Sequence, residues 1–454
     1  PGAFAAAILT GDRSAVDPAV TEDLRGTNLA HLLAISGLHM GLLTAFVFLV
    51  VRGGLALIPG VALRYPIKKW AAVAALLASL GYLALSGASV ATQRAFVMAA
   101  VALVAILLDR PALTLRAVAI AAGLILVWRP ESIIQAGFHL SFAATLALVA
   151  VFEVLRGMDW WRDPGRGWVT RLRPALAVGI TALTAGLATA PFAAFHFNVA
   201  TQYGLIANLL AVPLMGTLIM PAGVLALTLD IVGLGSWPFW VMGQGIDAVL
   251  WIAHEIKGWE GAVVGIPQAP AAALPLSALG LCALCLIRRW VRLIGLVPLV
   301  AAGVLWVSAE RPALLVGPGA RIVGAMGPDG RALTRARGQG FVAQSWLEND
   351  GDLADQDIAA SRTGWSAVAG ARVAILADGT KVFVSGARTR LPEALRSCDG
   401  TDLAILPAWE GELSWLCQTL VMGRESSAIA VHLTEEGYRI TRADDALPRI
   451  WSGQ

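Results

Sequence analysis

Lysine is nearly missing from this chain: four in 454 residues, at Lys68, Lys69, Lys257 and Lys381. None is followed by Ser or Thr, so a Walker A loop cannot be written anywhere and a built-in P-loop motor is excluded. Charge of either sign is scarce. Only 14% of residues are Asp, Glu, Lys or Arg, where a soluble domain carries about a quarter. Cysteine is sparse too, at four. Cys282 and Cys285 lie in the apolar run "ALGLCALCLI" and read as small lipid-facing or core residues; no second C-x-x-C accompanies them to make a zinc or redox motif. Other signatures fail residue by residue. "HEIKG" lacks the second histidine of H-E-x-x-H, and "AISGL" lacks both glycines of the G-x-S-x-G elbow. No secretory signal is visible, and an opening on Pro1 rather than Met leads us to expect a region upstream.

What the chain has in supply is hydrocarbon: 57% of it is hydrophobic, with a mean hydropathy of +0.69. The charge deficit is uneven. Residues 1–309 hold 19 Lys+Arg against 13 Asp+Glu, a balance of +6, while residues 310–454 hold 15 against 18, a balance of −3. This split divides a polytopic α-helical membrane domain from a small α+β soluble domain. Residues 1–28 read as an extramembrane lead-in. Runs of about 20 apolar residues are needed to cross a bilayer. Candidates lie near 29–51, 70–86, 92–108, 113–128, 138–155, 174–195, 204–229, 237–256, 271–287 and 291–308, of which 237–256 is weak and 113–128 short. Basic residues crowd alternate connections: Arg52, Arg64, Lys68 and Lys69; then Arg110 and Arg116; then Arg156, Arg162, Arg166, Arg171 and Arg173; then Arg288, Arg289 and Arg292. By the positive-inside rule the first span begins outside, and with ten spans the soluble domain is also outside. That compartment suits a disulfide between Cys398 and Cys417.

Five of the six histidines, His31, His39, His139, His196 and His254, fall in the membrane half. Ionisable groups at membrane depth face a bundle interior or a watery cavity by default and are functional candidates. In "NLAHLLAISGLHMGLL", Ser36 and His39 are spaced to share a helix face, with His31 about 80° round the wheel. Gly37 and Gly41 form a small-xxx-small pair for close helix contact. The bland alternatives are an interfacial His31 and an Arg94 that snorkels to the headgroups. "ESIIQAGFHLSFAAT" carries Gln135, His139 and Ser141 into the fifth span. Between spans six and seven, Pro191 and Pro213 are expected to break helices around His196, Asn198, Thr201, Gln202 and Asn208. Irregular backbone at that depth is tolerated where protein or a water-filled cavity satisfies it.

Four separated segments, in order, resemble the competence domain of the ComEC family: "LTGDRSAVDPAVTEDLRGTNLAHLLAISGLHMGLL", "SGASVATQRAFVMAA", "ESIIQAGFHLSFAATLAL" and "APFAAFHFNVATQYGLIANLLAVPL". The resemblance runs over nearly all of residues 5–309. It implies an inner-membrane channel that passes one strand of incoming DNA into the cytoplasm during natural transformation. His31, Ser36, Gly37 and His39 match its first signature and Arg94 the serine-rich second. Gly137, His139 and Ser141 match the third, although glutamine is expected where His139 stands. Phe195, His196, Asn208 and Pro213 match the fourth; Asn198 lies among them. The channel's polar path is therefore expected to include His31, Ser36, His39, Arg94, His139, Ser141, His196, Asn198 and Asn208. The resemblance also implies an N-terminal OB-like domain, missing here, and a C-terminal metallo-β-lactamase-like domain.

Residues 310–454 stand where the latter belongs, with strand-like runs about Asp378-Gly379 and Glu436-Gly437. With a single histidine, His432, and no H-x-H-x-D-H run, this is a degenerate relative without metal or nuclease activity. Its "DGDLADQD" reads as a solvated acidic loop. No cofactor, metal or catalytic residue is expected. The expected partners are single-stranded DNA, the lipid bilayer, a DNA receptor on the outer side, and a cytosolic DNA motor or single-strand-binding proteins. Two other readings stand beside the channel: a permease for a small polar solute, built on the same midplane polar groups, and a structural remnant whose polar residues tolerate alanine.

Overall fold

A backbone with no water to bond must satisfy its N–H and C=O groups internally, and the apolar half of this chain accordingly folds as helices. The computed structural model describes residues 1–162, 168–368, 371–385, 402–407, 418–422, 427–434 and 437–443; Cys398 and Cys417 lie outside them. Two units are distinct: residues Pro1–Val264 with Ala271–Val304, and Gly265–Pro270 with Leu305–Gln454.

The first unit opens with α1 (Gly2–Thr10), α2 (Pro18–Gly26) and α3 (Ala30–Leu33). Long helices follow as α4 (Gly37–Ala56), the short α5 (Pro59–Arg64), α6 (Ile67–Leu85), α7 (Val90–Leu107), α8 (Leu115–Trp128) and α9 (Ala136–Arg156). Then come α10 (Asp159–Arg162), α11 (Trp168–Phe197), α12 (Gly204–Leu214), α13 (Met220–Asp230), α14 (Ser236–Lys257), α15 (Ala273–Leu286) and α16 (Leu296–Val307). Among the described residues, seven stretches are long and apolar enough to cross a membrane: 37–56, 67–85, 90–107, 136–156, 170–197, 204–230 and 290–307. Each of the ten expected spans falls on helix, although the first is interrupted at 34–36, and α8 and α15 are short at 14 residues each. α14 is not among the seven. Its buried face, with Met242, Gly245, Ile246, Val249, Ile252 and Ala253, closes the core of this unit. α1 belongs to the same core through Phe4, Ala7, Ile8 and Leu9, and Tyr82 of α6 donates a hydrogen bond to its Ile8 carbonyl at 2.5 Å.

Two expectations are corrected. Pro191 and Pro213 do not break their helices. α11 runs through Pro191, and α12 passes through Pro213 into a π-helical turn, Met215–Ile219, that hands over to α13. A wide turn of this kind absorbs the missing N–H of proline without ending the helix. The interruption lies instead at 198–203, where Asn198 has φ 56° just past the end of α11. That is a left-handed cap which asparagine tolerates. Finally, Gly37 and Gly41 make no close helix contact among the described residues: both are exposed, and a Cβ built on either meets nothing within 4 Å. Close helix contacts are made elsewhere. A Cβ at Gly245 would sit 2.6 Å from Ile219 Cγ1, and a Cβ on Gly280 or Gly295, in α15 and the turn before α16, would lie 2.7 or 2.5 Å from the other's carbonyl oxygen.

In the second unit β3 (Leu314–Val316), β4 (Val323–Gly327), β5 (Gly330–Leu333), β11 (Ile429–Thr434) and β12 (Gly437–Arg442) form an antiparallel sheet of order β12-β11-β3-β4-β5; β1 (Val199–Thr201) and β2 (Val263–Gly265) are a separate pair. A second sheet, of order β10-β9-β8-β7-β6, holds β6 (Ser366–Val368), β7 (Ala371–Ile375), β8 (Lys381–Val384), β9 (Leu403–Pro407) and β10 (Gln418–Met422). Period-two alternation decides which side chains meet. Val382, Val384, Leu403 and Ile405 join Leu314, Val316, Val323 and Ala325 in one core between the sheets, while Phe383, Ala404 and Leu406 point the other way. α17 (Gly340–Asp350) and α18 (Gln356–Ser361) cover the outer face of the first sheet through Trp346, Leu347 and Ala359.

The run "DGDLADQD" is not simply a solvated loop. Asp350 receives Nε and Nη2 of the fully buried Arg331, at 2.5 and 3.1 Å, and Asp352 is bound by Arg362. Burial works against ionisation of Asp352, but the guanidinium and the Ala354 N–H outweigh it and hold the carboxyl below its ordinary value.

Candidate functional site

Successive helices of the first unit run in alternate directions, so the start of α4, the end of α6, the start of α7, the end of α8, the start of α9, the end of α11, the start of α12 and the end of α14 share one end. Contacts bear this out. A Cβ on Gly204 would lie 3.0 Å from Asn28, one on Gly11 would lie 2.9 Å from the Ser86 carbonyl, and Lys257 pairs with Glu22 at 2.9 Å and Asp23 at 3.3 Å. His254, on the same helix end, lies 3.0 Å from Asp23. Every polar residue singled out in the sequence sits at this end; the arginine-rich connections occupy the other.

At the start of α4 the structure replaces a shared helix face with a cap. The chain turns extended at Ala34 and Ser36, and the helix begins at Gly37. Ser36 Oγ accepts from the Leu38 N–H at 3.2 Å and lies 3.0 Å from His39 Nδ1, which in turn accepts from the Ser36 N–H at 3.3 Å. This is a capping box with histidine in the place of the usual Glu or Gln. The reciprocal bonds require Nδ1 to accept from the backbone and fix the tautomer with the proton on Nε2. His39 is 0% exposed, and its Nε2 has no hydrogen-bond partner among the described residues. His31 is apart from this pair, exposed on α3, with Nδ1 3.0 Å from the Asn28 carbonyl.

A second group forms between α9 and α11. His139 Nδ1 and His196 Nε2 are 3.0 Å apart, a hydrogen bond in which one ring donates and the other accepts. The two ring planes are 20° apart with centroids at 5.2 Å, and Phe192 lies nearly parallel to His139 at 5.6 Å and 11°. Phe195 meets His196 edge-on at 5.3 Å. Four aromatic rings thus cluster here, Phe192 and the two histidines nearly parallel and Phe195 edge-on, with one hydrogen bond joining the histidines. Phe192 was invisible as a partner in the sequence because it lies four residues before His196, a spacing indistinguishable from ordinary core.

The remaining candidates separate. Asn198 is the buried left-handed cap described above, and Asn208 turns its amide onto the Gly204 carbonyl at 2.7 Å, one helical turn back. Ser141 is half-buried on α9. Arg94, 8% exposed, lays its guanidinium against the start of α9: a Cβ on Gly137 would collide with Nη2 and lie 3.0 Å from Cζ. Gly137 therefore stands where no other residue leaves room for that side chain. Among the described residues, no three His, Cys, Asp or Glu converge as a metal centre would need.

The family profile described as "Competence protein" matches residues 8–291, more than half of the chain. ComE operon protein 3 of Bacillus subtilis is 30% identical over 228 residues, covering 49% of this chain and 26% of that protein. Recombination protein 2 of Haemophilus influenzae is 28% identical over 220 residues, covering 47% of this chain and 27% of that protein. The matched region thus spans about a quarter of the length of these curated relatives. No solved structure matches the chain.

Proposed function

Since the chain belongs to the competence protein family, as the match over residues 8–291 shows, we propose that its first unit is an inner-membrane path for single-stranded DNA entering the cytoplasm during natural transformation. One observation carries the reading beyond family membership: the Ser36–His39 cap and the His139–His196 stack, drawn from separate family-like segments, gather at one end of the helical unit. A strand is a polyanion whose bases are hydrophobic plates. Its path needs hydrogen-bond donors and aromatic surfaces for the bases rather than a wall of arginine, because a conduit must release what it holds. Nothing specific favours a small-solute permease over this.

By the distribution of arginine, the polar end is the outer mouth; counting α8, α14 and α15 as crossings beside the seven long apolar stretches makes ten, which leaves the second unit outside as well. We read that unit, two face-to-face sheets with helices on one side, as a degenerate metallo-β-lactamase-like domain that supports the path without hydrolysis. A receptor would hand DNA to the outer mouth, and a cytosolic motor or strand-capturing protein would pull from the other side.

The test uses cells lacking the gene, complemented with the intact chain or with Ser36→Ala and His39→Ala forms inserted at equal levels. Labelled DNA should reach the periplasm and stop there in the null strain and in both variants. Normal cytosolic DNA in the null would overturn the channel reading.

A further inference from the structure

We infer that the cleft between the start of α7, the end of α8 and the 3₁₀ turn Pro130–Ile134 binds the phosphodiester headgroup of an anionic membrane lipid. Two polar side chains are buried there without partners. Arg94 Nε and Ser132 Oγ have no hydrogen-bond partner among the described residues, and Ser132 is 0% exposed. Both line a cleft of about 10 Å³, room for a single oxygen-sized group. An arginine this buried ordinarily faces a carboxylate, because an unpaired charge away from water is costly. None of the ion pairs among the described residues includes Arg94. One non-bridging phosphate oxygen in the cleft would answer both groups, and Gly137 holds the guanidinium in place for it.

The surroundings favour lipid over DNA. Val127, Ile133 and Ile134 around the cleft are 87%, 57% and 72% exposed, a surface made for acyl chains. Trp128 and Arg129 line the cleft itself, an aromatic ring and a second cation at the level where headgroups lie. The stacked histidines are elsewhere: His139 lies two residues beyond Gly137, about 200° round α9.

The full chain, stripped of lipid in detergent, is titrated with 1-palmitoyl-2-oleoyl-phosphatidylglycerol and, separately, with dioleoylglycerol, reading the bound fraction by native mass spectrometry. Phosphatidylglycerol should occupy one tight site and dioleoylglycerol none. Arg94→Gln should weaken the site at least tenfold and Ser132→Ala at least fivefold. The serine variant removes a hydroxyl that bonds no group among the described residues, so it folds whatever becomes of Arg94→Gln. Unchanged affinity in Ser132→Ala, or equal retention of dioleoylglycerol, overturns the proposal. So does displacement of phosphatidylglycerol by a thymidine oligonucleotide whose own affinity falls in Ser132→Ala, which would assign the cleft to the strand. The lipid arms involve no DNA and stand independently of the uptake reading.

Discussion

Ser36 offers the sharpest separation of a structural role from a functional one, because its contribution to the fold has a known size. Replacing an N-cap serine by alanine costs about 1 kcal/mol. Against a stability of about 5–15 kcal/mol, this leaves the chain folded and inserted. If the hydroxyl does no more than cap α4, any good cap restores it: threonine, and equally aspartate, whose charge the helix N-terminus welcomes. If it borders the path of a polyanion, aspartate behaves otherwise. A carboxylate about 6 Å from a phosphate, at an effective dielectric of about 20, opposes it by about 3 kcal/mol, or roughly a hundredfold in passage. The expectation is therefore near-normal protein levels in all three variants, with cytosolic uptake of labelled DNA preserved in Ser36→Thr, reduced at least tenfold in Ser36→Ala and lowest in Ser36→Asp. Equal uptake in Ser36→Asp and Ser36→Thr would refute the reasoning and leave Ser36 as a cap alone.

Three other perturbations follow from contacts in the structure. His139→Gln keeps a hydrogen-bonding group toward His196 and should preserve DNA uptake, whereas His139→Leu should lower it at matched expression; normal uptake with leucine would remove the stack from the path. Gly245→Ala pushes a methyl to 2.6 Å from Ile219 and should cost about 1–3 kcal/mol in thermal unfolding of the detergent-solubilised chain. Gly41→Ala, which meets open space, should not destabilise it; the reverse order would contradict the helix contacts described. Because the Asp352 carboxyl is held below its ordinary value near 3.8, its pair with Arg362 contributes fully above that value and is lost as pH falls through the depressed one. Unfolding of Asp352→Asn should therefore differ from wild type at pH 6, and the gap should close toward pH 2; a constant gap would mean that charge is not the source.

The sequence made the helices and their order legible, because a bilayer admits few alternatives and the apolar runs are long. It misled where one residue can serve two geometries. Ser36 and His39 three apart fit a shared face, yet a glycine just after a serine also starts a helix, and here the chain breaks after α3 and the two side chains satisfy the N–H groups the break leaves free. Gly37 and Gly41 matched a contact motif that spacing alone cannot tell from an open face. Gly245, Gly280 and Gly295, in contrast, carry no pattern, and only the crossing of their helices gives them a role. The pairing of His139 with His196 spans 57 residues and could be anticipated only through the family-like segments that hold them.

The side of the membrane on which the polar end opens decides what that end does, and it can be read chemically. His31 is exposed at the polar end, and Lys68 stands in the basic connection at the opposite one. In a background with the four native cysteines replaced, His31→Cys and Lys68→Cys are treated with a membrane-impermeant maleimide, first on spheroplasts and then after permeabilisation. His31→Cys should label at once and Lys68→Cys only after the membrane is opened, since the arginine-rich connections stay on the cytoplasmic side. The opposite pattern would turn the unit over. The caps and stacked rings would then lie where the strand leaves rather than where it arrives. Variants there would be expected to stall DNA already threaded through the membrane, so the orientation result determines which intermediate a blocked strain should accumulate.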